Sequence, residues 1–200
     1  MLNRAAFLWW AFCLGVIFPA WADQAKDSNH AQELAQIATV LKSSVGLTAR
    51  FTQERTVPIL SKPLMSKGHI NVPQEDELVW VQDTPYAVTL IFNREGMTET
   101  LPDGKERTAD NPMVSSMGQM FISLLSGDPA TLLAYFTVVE ADIEGLDWSM
   151  TLKPRDDLLS AAIERIDISG RSNIDTVRVW DSQGGNSQII FSEYKRGAPQ

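Results

Sequence analysis

The sequence predicts a mainly β fold, with one antiparallel sheet curled on itself or closed as a barrel, and a few helices. From Leu47 onwards, apolar residues alternate with a period of two in about ten short segments. Turn residues separate these segments closely, and no linker, repeat or low-complexity tract divides the chain. Only a few segments between the strands have apolar residues at the spacing of a helix. Short strands joined by tight turns favour a curled sheet, and the helices would cap one of its ends.

The N-terminus has the pattern of a secretion signal. Arg4 precedes an apolar run at residues 5–18, Pro19 ends the run, and Ala20 and Ala22 place small residues at a cleavage site. We therefore predict a signal peptide over residues 1–22, one domain over residues 23–200 and a periplasmic location. An uncleaved anchor is the alternative, although the run is short for a membrane span. The single cysteine, Cys13, leaves with the signal, which excludes disulfides, zinc-thiolate sites and cysteine nucleophiles from the mature chain.

The charge of the chain limits the partners that it can bind. The formal net charge is -8, and removal of Arg4 with the signal makes it -9. Nucleic-acid binding and tight docking on anionic lipid both depend on clustered Lys and Arg, so both are disfavoured. We expect a monomer that binds no nucleic acid.

The first half of the domain opens with a helix and continues as a meander. Residues 31–45 place apolar side chains at helical spacing, and Gly46 ends the helix. Strands are predicted at residues 48–56, 66–72, 77–82, 86–93 and 97–101, the last before a turn at Pro102. In the third strand two inward faces compete, one formed by Leu78 with Trp80 and the other by Val79 with Val81.

The second half begins with two helical segments. The first starts near Pro112 and carries apolar residues three and four apart, and the second starts at Asp128 and runs to about Ala134. Met113, Met117 and Met120 of the first segment form either an ordinary core stripe or an adaptable apolar surface for cargo. A polar turn is expected at residues 154–157. Strands are predicted at residues 136–143, 147–152, 162–169, 176–181 and 188–194.

The sequence carries no pattern of catalytic chemistry. It has no nucleophile elbow, zinc-protease motif, phosphate-binding loop or dinucleotide fingerprint. Of its two histidines, His30 lies in the polar leader and His69 lies on a strand, where we expect a solvated ring. Acidic clusters at residues 75–77, 142–147 and 156–157 lie at turns without the spacing of a calcium loop. We expect no metal, no cofactor and no enzymatic activity.

Several segments in chain order resemble the LolA family of outer-membrane lipoprotein carriers. The segments are Phe51-Thr52-Gln53, similar to the family's F-x-Q, then Gly68 to Val72, Leu78-Val79-Trp80, the helical interruption at residues 112–133, and Leu152-Lys153-Pro154. The family's R-P pair before the tryptophan, whose arginine holds the lid closed, is replaced here by residues 73–77 without an arginine.

The resemblance implies an incomplete, strongly curved antiparallel β-barrel of about eleven strands, covered by lid helices. Its apolar interior would receive acyl chains of a lipoprotein or of another acylated lipid, such as a glycolipid or pigment. The family takes cargo from an inner-membrane transporter, passes it to an outer-membrane acceptor and performs no covalent chemistry.

A lipid site follows from this resemblance and from the predicted inward faces. Its expected residues are Ile70, Trp80, Leu90, Phe92, Met113, Met117, Met120, Phe121, Trp148, Met150, Ile166 and Val179. An aspartate at Met120 is expected to abolish lipid retention without disturbing the fold. Two other functions remain open, which are a lipid ester or thioester hydrolase with His69 as base and a protein-interaction module without lipid.

Overall fold

The computed structural model describes residues 32–41, 46–74, 76–93, 96–101, 103–109, 118, 120, 122–123 and 128–197. Eleven strands in this part of the chain form one antiparallel sheet. They are β1 (Leu47–Thr56), β2 (Leu64–Asn71), β3 (Leu78–Thr84), β4 (Val88–Asn93), β5 (Gly96–Thr100), β6 (Glu106–Ala109), β7 (Phe136–Glu144), β8 (Asp147–Pro154), β9 (Ile163–Gly170), β10 (Ile174–Asp181) and β11 (Asn186–Arg196).

The sheet is two meanders joined at one seam. Strands β1 to β6 pair in chain order, strands β7 to β11 do the same, and β1 pairs with β11 between them. The outermost strands are β6 and β7, and they are not paired with each other. The predicted fold class is confirmed, since the sheet is curved, antiparallel and open at one side rather than a closed barrel.

All ten predicted strands are present, with ends displaced by a few residues. Strand β6, which is four residues long and begins at Glu106, was not predicted from the sequence. The polar turn predicted at residues 154–157 was partly wrong. Asp156 there caps a short helix, Asp157–Ser160, by accepting a hydrogen bond from the Leu159 N–H at 2.8 Å. A cap supplied by one aspartate is enough to turn a polar segment into the start of a helix.

Among the described residues, four helical segments accompany the sheet. They are α1 at residues 32–41, α2 with described residues 118, 120, 122 and 123, α3 (Pro129–Tyr135) and α4 (Asp157–Ser160). Asp128 caps α3, accepting hydrogen bonds from the Ala130 N–H at 3.0 Å and from the Thr131 hydroxyl at 2.5 Å. The Thr131 hydroxyl lowers the pKa of Asp128, and backbone N–H groups of Thr131 and Ala130 act in the same direction. In the part of the chain that the structure describes, no helix has the length and apolar character of a membrane span.

Strand register decides which side chains face the interior. Ile70 pairs with Trp80, and Trp80 pairs with Leu90, so these three residues point to one face across β2, β3 and β4. Leu78 and Trp80 are buried whereas Val79 and Val81 are half-exposed, which settles the choice between the two faces of β3. Trp148, Met150 and Leu152 form the corresponding buried row on β8, as their alternation predicted.

The helices cover one half of the interior more closely than the other. From α1, Leu34, Ile37 and Leu41 are buried in the same cluster as Leu132 of α3 and Met150 of β8, and these residues surround a small gap together. Gly118 of α2 lies against the Phe92 ring so closely that a Cβ at this position would overlap it. No residue of α1 or α3 in the described chain lines the larger cavity near β3, β10 and β11, so this half of the interior is the more open one.

Candidate functional site

A cavity of about 560 Å³ lies inside the curve of the sheet. Its walls come from both meanders and from the seam between them, since β1, β3, β4, β5, β9, β10 and β11 all contribute side chains. The lining residues are Gln53, Arg55, Trp80, Gln82, Leu90, Phe92, Met97, Ala162, Ile163, Val179, Asp181, Asn186, Ser187 and Ile189. A volume of a few hundred Å³ is typical of ligand sites in proteins.

The apolar wall of the cavity rests on a packed aromatic group. The Trp80 ring lies 4.0 Å from the Phe51 ring, measured between centroids, and meets Phe191 edge-on at 6.4 Å. Trp80 and Phe92 are largely buried, whereas Leu90 and Val179 are half-exposed beside them. Because Trp80 is held by its neighbours, this wall is preformed and does not need to be assembled when a ligand enters.

Polar side chains gather at the end of the cavity where the β1–β2, β3–β4 and β10–β11 connections lie. Gln53 donates a hydrogen bond to Ser187 at 2.7 Å and accepts one from Ser66 at 3.2 Å, which ties β1 to both neighbouring strands. The Gln82 amide donates to the Tyr86 carbonyl at 3.0 Å. Arg55 supplies a positive charge at the same end. The cavity thus has an apolar interior and a polar, hydrogen-bonding mouth.

The structure brings four of the predicted lipid-site residues to the wall of this cavity, namely Trp80, Leu90, Phe92 and Val179. Ile70 and Ile166 are buried in the packed interior. Met150 faces the small gap beneath α1 and α3, and Trp148 lines a separate recess of about 400 Å³ near α1 and Arg171. Met120 is buried. Met113, Met117 and Phe121 lie outside the described residues.

Sequence reasoning missed the other residues that line the cavity. Phe51 is buried, and alternation along β1 places Gln53 and Arg55 on the same inward face. Alternation along β11 places Ile189 on the inward face in the same way. Charged side chains usually face outward on a strand, so Arg55 was not predicted to face the interior. Met97 and Ile163 stand near the ends of their strands, where the inward face is least certain.

The sequence model described as outer membrane lipoprotein carrier protein LolA matches residues 42–200 of this chain. The chain belongs to the LolA family. Members of this family are carriers that bind lipid or lipoprotein and are typically extracytoplasmic, and the open, curved sheet with its internal cavity is the corresponding fold. No curated protein has a sequence that matches this chain.

Several solved structures are similar to this chain at low sequence identity. A DUF1329 family protein from Desulfovibrio piger superposes with a TM-score of 0.50 at 11% identity, covering 88% of this chain and 95% of its own. A LolA superfamily protein from Nitrosomonas europaea gives a TM-score of 0.48 at 8% identity, covering 84% and 94%. A putative outer membrane lipoprotein-sorting protein domain from Vibrio parahaemolyticus gives 0.48 at 12% identity, covering 84% and 92%. At 11% identity, the likeness to the Desulfovibrio piger protein concerns the fold alone.

His69, the base of the alternative hydrolase, lies on the outer face of β2. Its neighbour Ile70 points inward, and His69 itself pairs with Val81 on the outside. Its ring is 46% exposed, and its Nδ1 lies 3.6 Å from an Asp83 carboxylate oxygen. The sheet therefore separates His69 from the cavity. Across the described residues, no group of three or more His, Cys, Asp or Glu side chains is placed to hold a metal ion.

Met120 is 0% exposed and belongs to the described core. An aspartate there would place an unpaired charge at a fully buried position, which is strongly destabilising, so we expect this variant to disturb the fold as well as lipid retention. Met120 packs in the interior together with Ile122 of the same helix. A test of lipid binding needs a residue on the cavity wall that is less buried, and Val179 meets this condition.

Proposed function

We propose that this protein is a periplasmic carrier that holds an acyl chain of a lipoprotein or another acylated lipid in its internal cavity. The observation that carries the proposal is the cavity itself, with an apolar wall at Trp80, Leu90 and Phe92 and a polar mouth at Gln53 and Arg55. An amphiphile matches this division, because its chain would lie against the wall and its head group would remain at the mouth. Membership of a carrier family supports the same function.

The volume of the cavity suits one long acyl chain. A methylene group fills on the order of 30 Å³, about the share of one water molecule in the liquid, so 560 Å³ corresponds to a single chain of ordinary length. Two or three chains would need further space, which movement of α2 would have to create. We therefore expect a carrier that binds one chain at a time in the conformation described here.

The energetics of such a complex require a cover that can open. Burial of a methylene contributes about 0.8 kcal/mol, so a fully enclosed 16-carbon chain gains on the order of 10 kcal/mol before the cost of immobilisation. Affinity of this order protects a lipid in water and also makes its release slow. We assign the cover to α2, because its Gly118 backbone lies against Phe92 of the cavity wall.

In this proposal Met113, Met117, Met120 and Phe121 complete the lipid site together with the residues of the sheet. Methionine side chains are flexible and polarisable, so they would adapt to chains of different shape. An inner-membrane transporter would load the carrier, and an outer-membrane acceptor would receive the cargo. The cargo would be a lipoprotein, a glycolipid or an acylated pigment.

Native mass spectrometry with lipid extraction tests the proposal. The protein is purified gently from a periplasmic fraction of its own host, and we expect a mass that includes one acylated species. A fluorescent fatty acid added to delipidated protein should bind with a stoichiometry of one. A mass without lipid, together with no uptake of the fatty acid, would contradict the proposal and favour a protein-interaction module.

The alternative hydrolase is tested by the variant His69→Ala. Because His69 lies on the outer face of the sheet, we expect this variant to bind the fluorescent fatty acid as the original protein does. Both proteins are also assayed with a panel of lipid esters and thioesters. Ester cleavage that disappears in the variant would overturn the carrier function in favour of the hydrolase.

A further inference from the structure

The hairpin connection between β1 and β2 exposes a concentration of apolar side chains. Ile59 is 90% exposed, and Leu60, Leu64 and Met65 are 45%, 52% and 47% exposed. A turn in which the Leu60 N–H donates to the Val57 carbonyl at 2.9 Å shapes the connection. We call residues 57–65 the β1–β2 tip. Large apolar residues so exposed on a contiguous segment mark an interaction surface.

The apolar side chains of the tip point in several directions. Leu64 pairs with Arg55, so it continues the inner face of the sheet, whereas Met65 pairs with Glu54 on the outer face. Ile59 lies in the connection between the two strands and is the most exposed of the four. A groove in a protein partner would contact one flat face, but this hairpin carries exposed apolar side chains on both of its faces and in its connection, and so forms a wedge. A wedge of this kind suits a medium that surrounds it, such as the acyl boundary of a bilayer.

The tip stands beside the mouth of the cavity. Gln53 and Arg55 of the same hairpin line the cavity, and Pro58 lies within 3.9 Å of the position that a Cβ on Gly184 would take in the β10–β11 turn. Tyr86 is also exposed. It follows Thr84, the last residue of β3, which pairs with Lys67 of β2 close to the tip. Contact through the tip would thus turn the mouth towards the surface that is touched.

The charge of the hairpin differs from the charge of the whole chain. Residues 55–67 contain Arg55, Lys62 and Lys67 and no carboxylate, although the chain has a net charge of -8. Cations close behind an apolar wedge fall at the depth of lipid head groups, where each is attracted by anionic lipid. The rest of the chain repels an anionic surface, so the contact would be local and reversible rather than tight.

We propose that the β1–β2 tip inserts into the interface of a lipid bilayer containing anionic lipid and presents the mouth of the cavity to the membrane. The tip is a surface separate from the cavity. Only the purpose of its insertion rests on the proposed function, and this purpose would be to let an acyl chain pass between bilayer and carrier without crossing water.

Vesicle flotation of the full chain tests the insertion. Vesicles of phosphatidylcholine with phosphatidylglycerol are compared with vesicles of phosphatidylcholine alone, using the original protein and the double variant Ile59→Asp/Leu60→Asp. We expect the double variant to lose at least about fivefold of the bound fraction on the anionic vesicles, because it removes the apolar wedge and adds repulsion. Binding of the original protein should be stronger on anionic vesicles and should weaken as salt is raised.

Leu146→Asp is the matched control. Leu146 is 76% exposed in the β7–β8 turn, which lies at the other end of the sheet, next to the Trp148–Gly170 pair. All variants keep the same N-terminus, so a contribution from the apolar residues 5–18 is identical in each. We expect Leu146→Asp to float as the original protein does, and circular dichroism spectra should agree among the three proteins.

The outcomes separate this inference from the proposed function. Equal flotation of the original protein and the double variant would overturn the insertion of the tip. The insertion would also be overturned if the original protein binds no vesicles while the double variant loses lipid delivery to an acceptor protein. This result would assign the tip to a protein partner. Tip-dependent flotation by a protein that takes up no fatty acid would support the tip while the carrier function fails.

Discussion

A carboxylate on the cavity wall should act on lipid binding without unfolding the protein, and Val179→Asp is the variant that tests this. Val179 lines the cavity on β10 and is half-exposed, so an aspartate there stays in contact with water while the cavity is empty. Entry of an acyl chain would cover it. The variant therefore penalises the bound state much more than the free state.

The size of the penalty is limited by protonation. Protonating an aspartate of ordinary pKa, about 3.9, at pH 7 costs about 4 kcal/mol. If burial of the charged carboxylate costs more than this, the side chain binds a proton and becomes neutral, so about 4 kcal/mol is the upper limit of the penalty. Residual contact with water at the mouth lowers the cost, so we expect the affinity to fall between about 10-fold and 1,000-fold. Because the carboxyl would bind a proton in the complex, its pKa there is raised. The loss should shrink by up to tenfold for each pH unit below 7 and vanish near pH 4.

Displacement of a fluorescent fatty acid measures this effect, with the original protein as reference at every pH. Val81→Asp is the control, since Val81 is also a half-exposed strand valine but lies on the outer face opposite His69. Both variants should give far-ultraviolet circular dichroism spectra like that of the original protein. Equal affinities in Val179→Asp and Val81→Asp at pH 7 would refute the assignment of the cavity as the acyl site.

Three further substitutions test individual contacts of the fold by urea denaturation. Gly118→Ala should lower the free energy of unfolding by about 1–3 kcal/mol, because the added Cβ overlaps the Phe92 ring, and an unchanged midpoint would disprove this contact. Asp128→Ala should cost about 1 kcal/mol at pH 7 through loss of the helix cap. The folded-state pKa of Asp128 is depressed, so its stabilisation is present above the ordinary value of 3.8 and disappears as the pH falls through the folded value; the difference between the two proteins should therefore narrow in acid. Trp180→Phe should cost about 1 kcal/mol, because Asp167 loses the indole N–H that donates to it at 2.6 Å, and equal stability would show that this bond contributes nothing.

The sequence determined the strands because their causes are local. Alternation on β8 predicted the buried row from Trp148 to Leu152, and Asp128 followed by Pro129 predicted the start of α3, since a cap and a fixed proline φ act within one turn. The capping rule also holds at Asp156, which caps α4, but the polar residues around it predicted a turn instead. It also passed over β6, which is only four residues long and holds its place by pairing with β5.

The candidate site depended on information that lies outside any one segment. Trp80 and Val79 are equally apolar neighbours, and the pairing of Trp80 with Ile70 and Leu90 is what assigns it to the interior. Ile70, Met150 and Val179 all point inward, but α1 and α3 fill the space over Met150, whereas Val179 faces open space. Inward direction is thus a property of the strand, which alternation reveals. The presence of a cavity in front of a side chain is a property of how helices pack across the sheet, and only the tertiary structure decides it, because the volume left empty depends on elements that are distant in the chain.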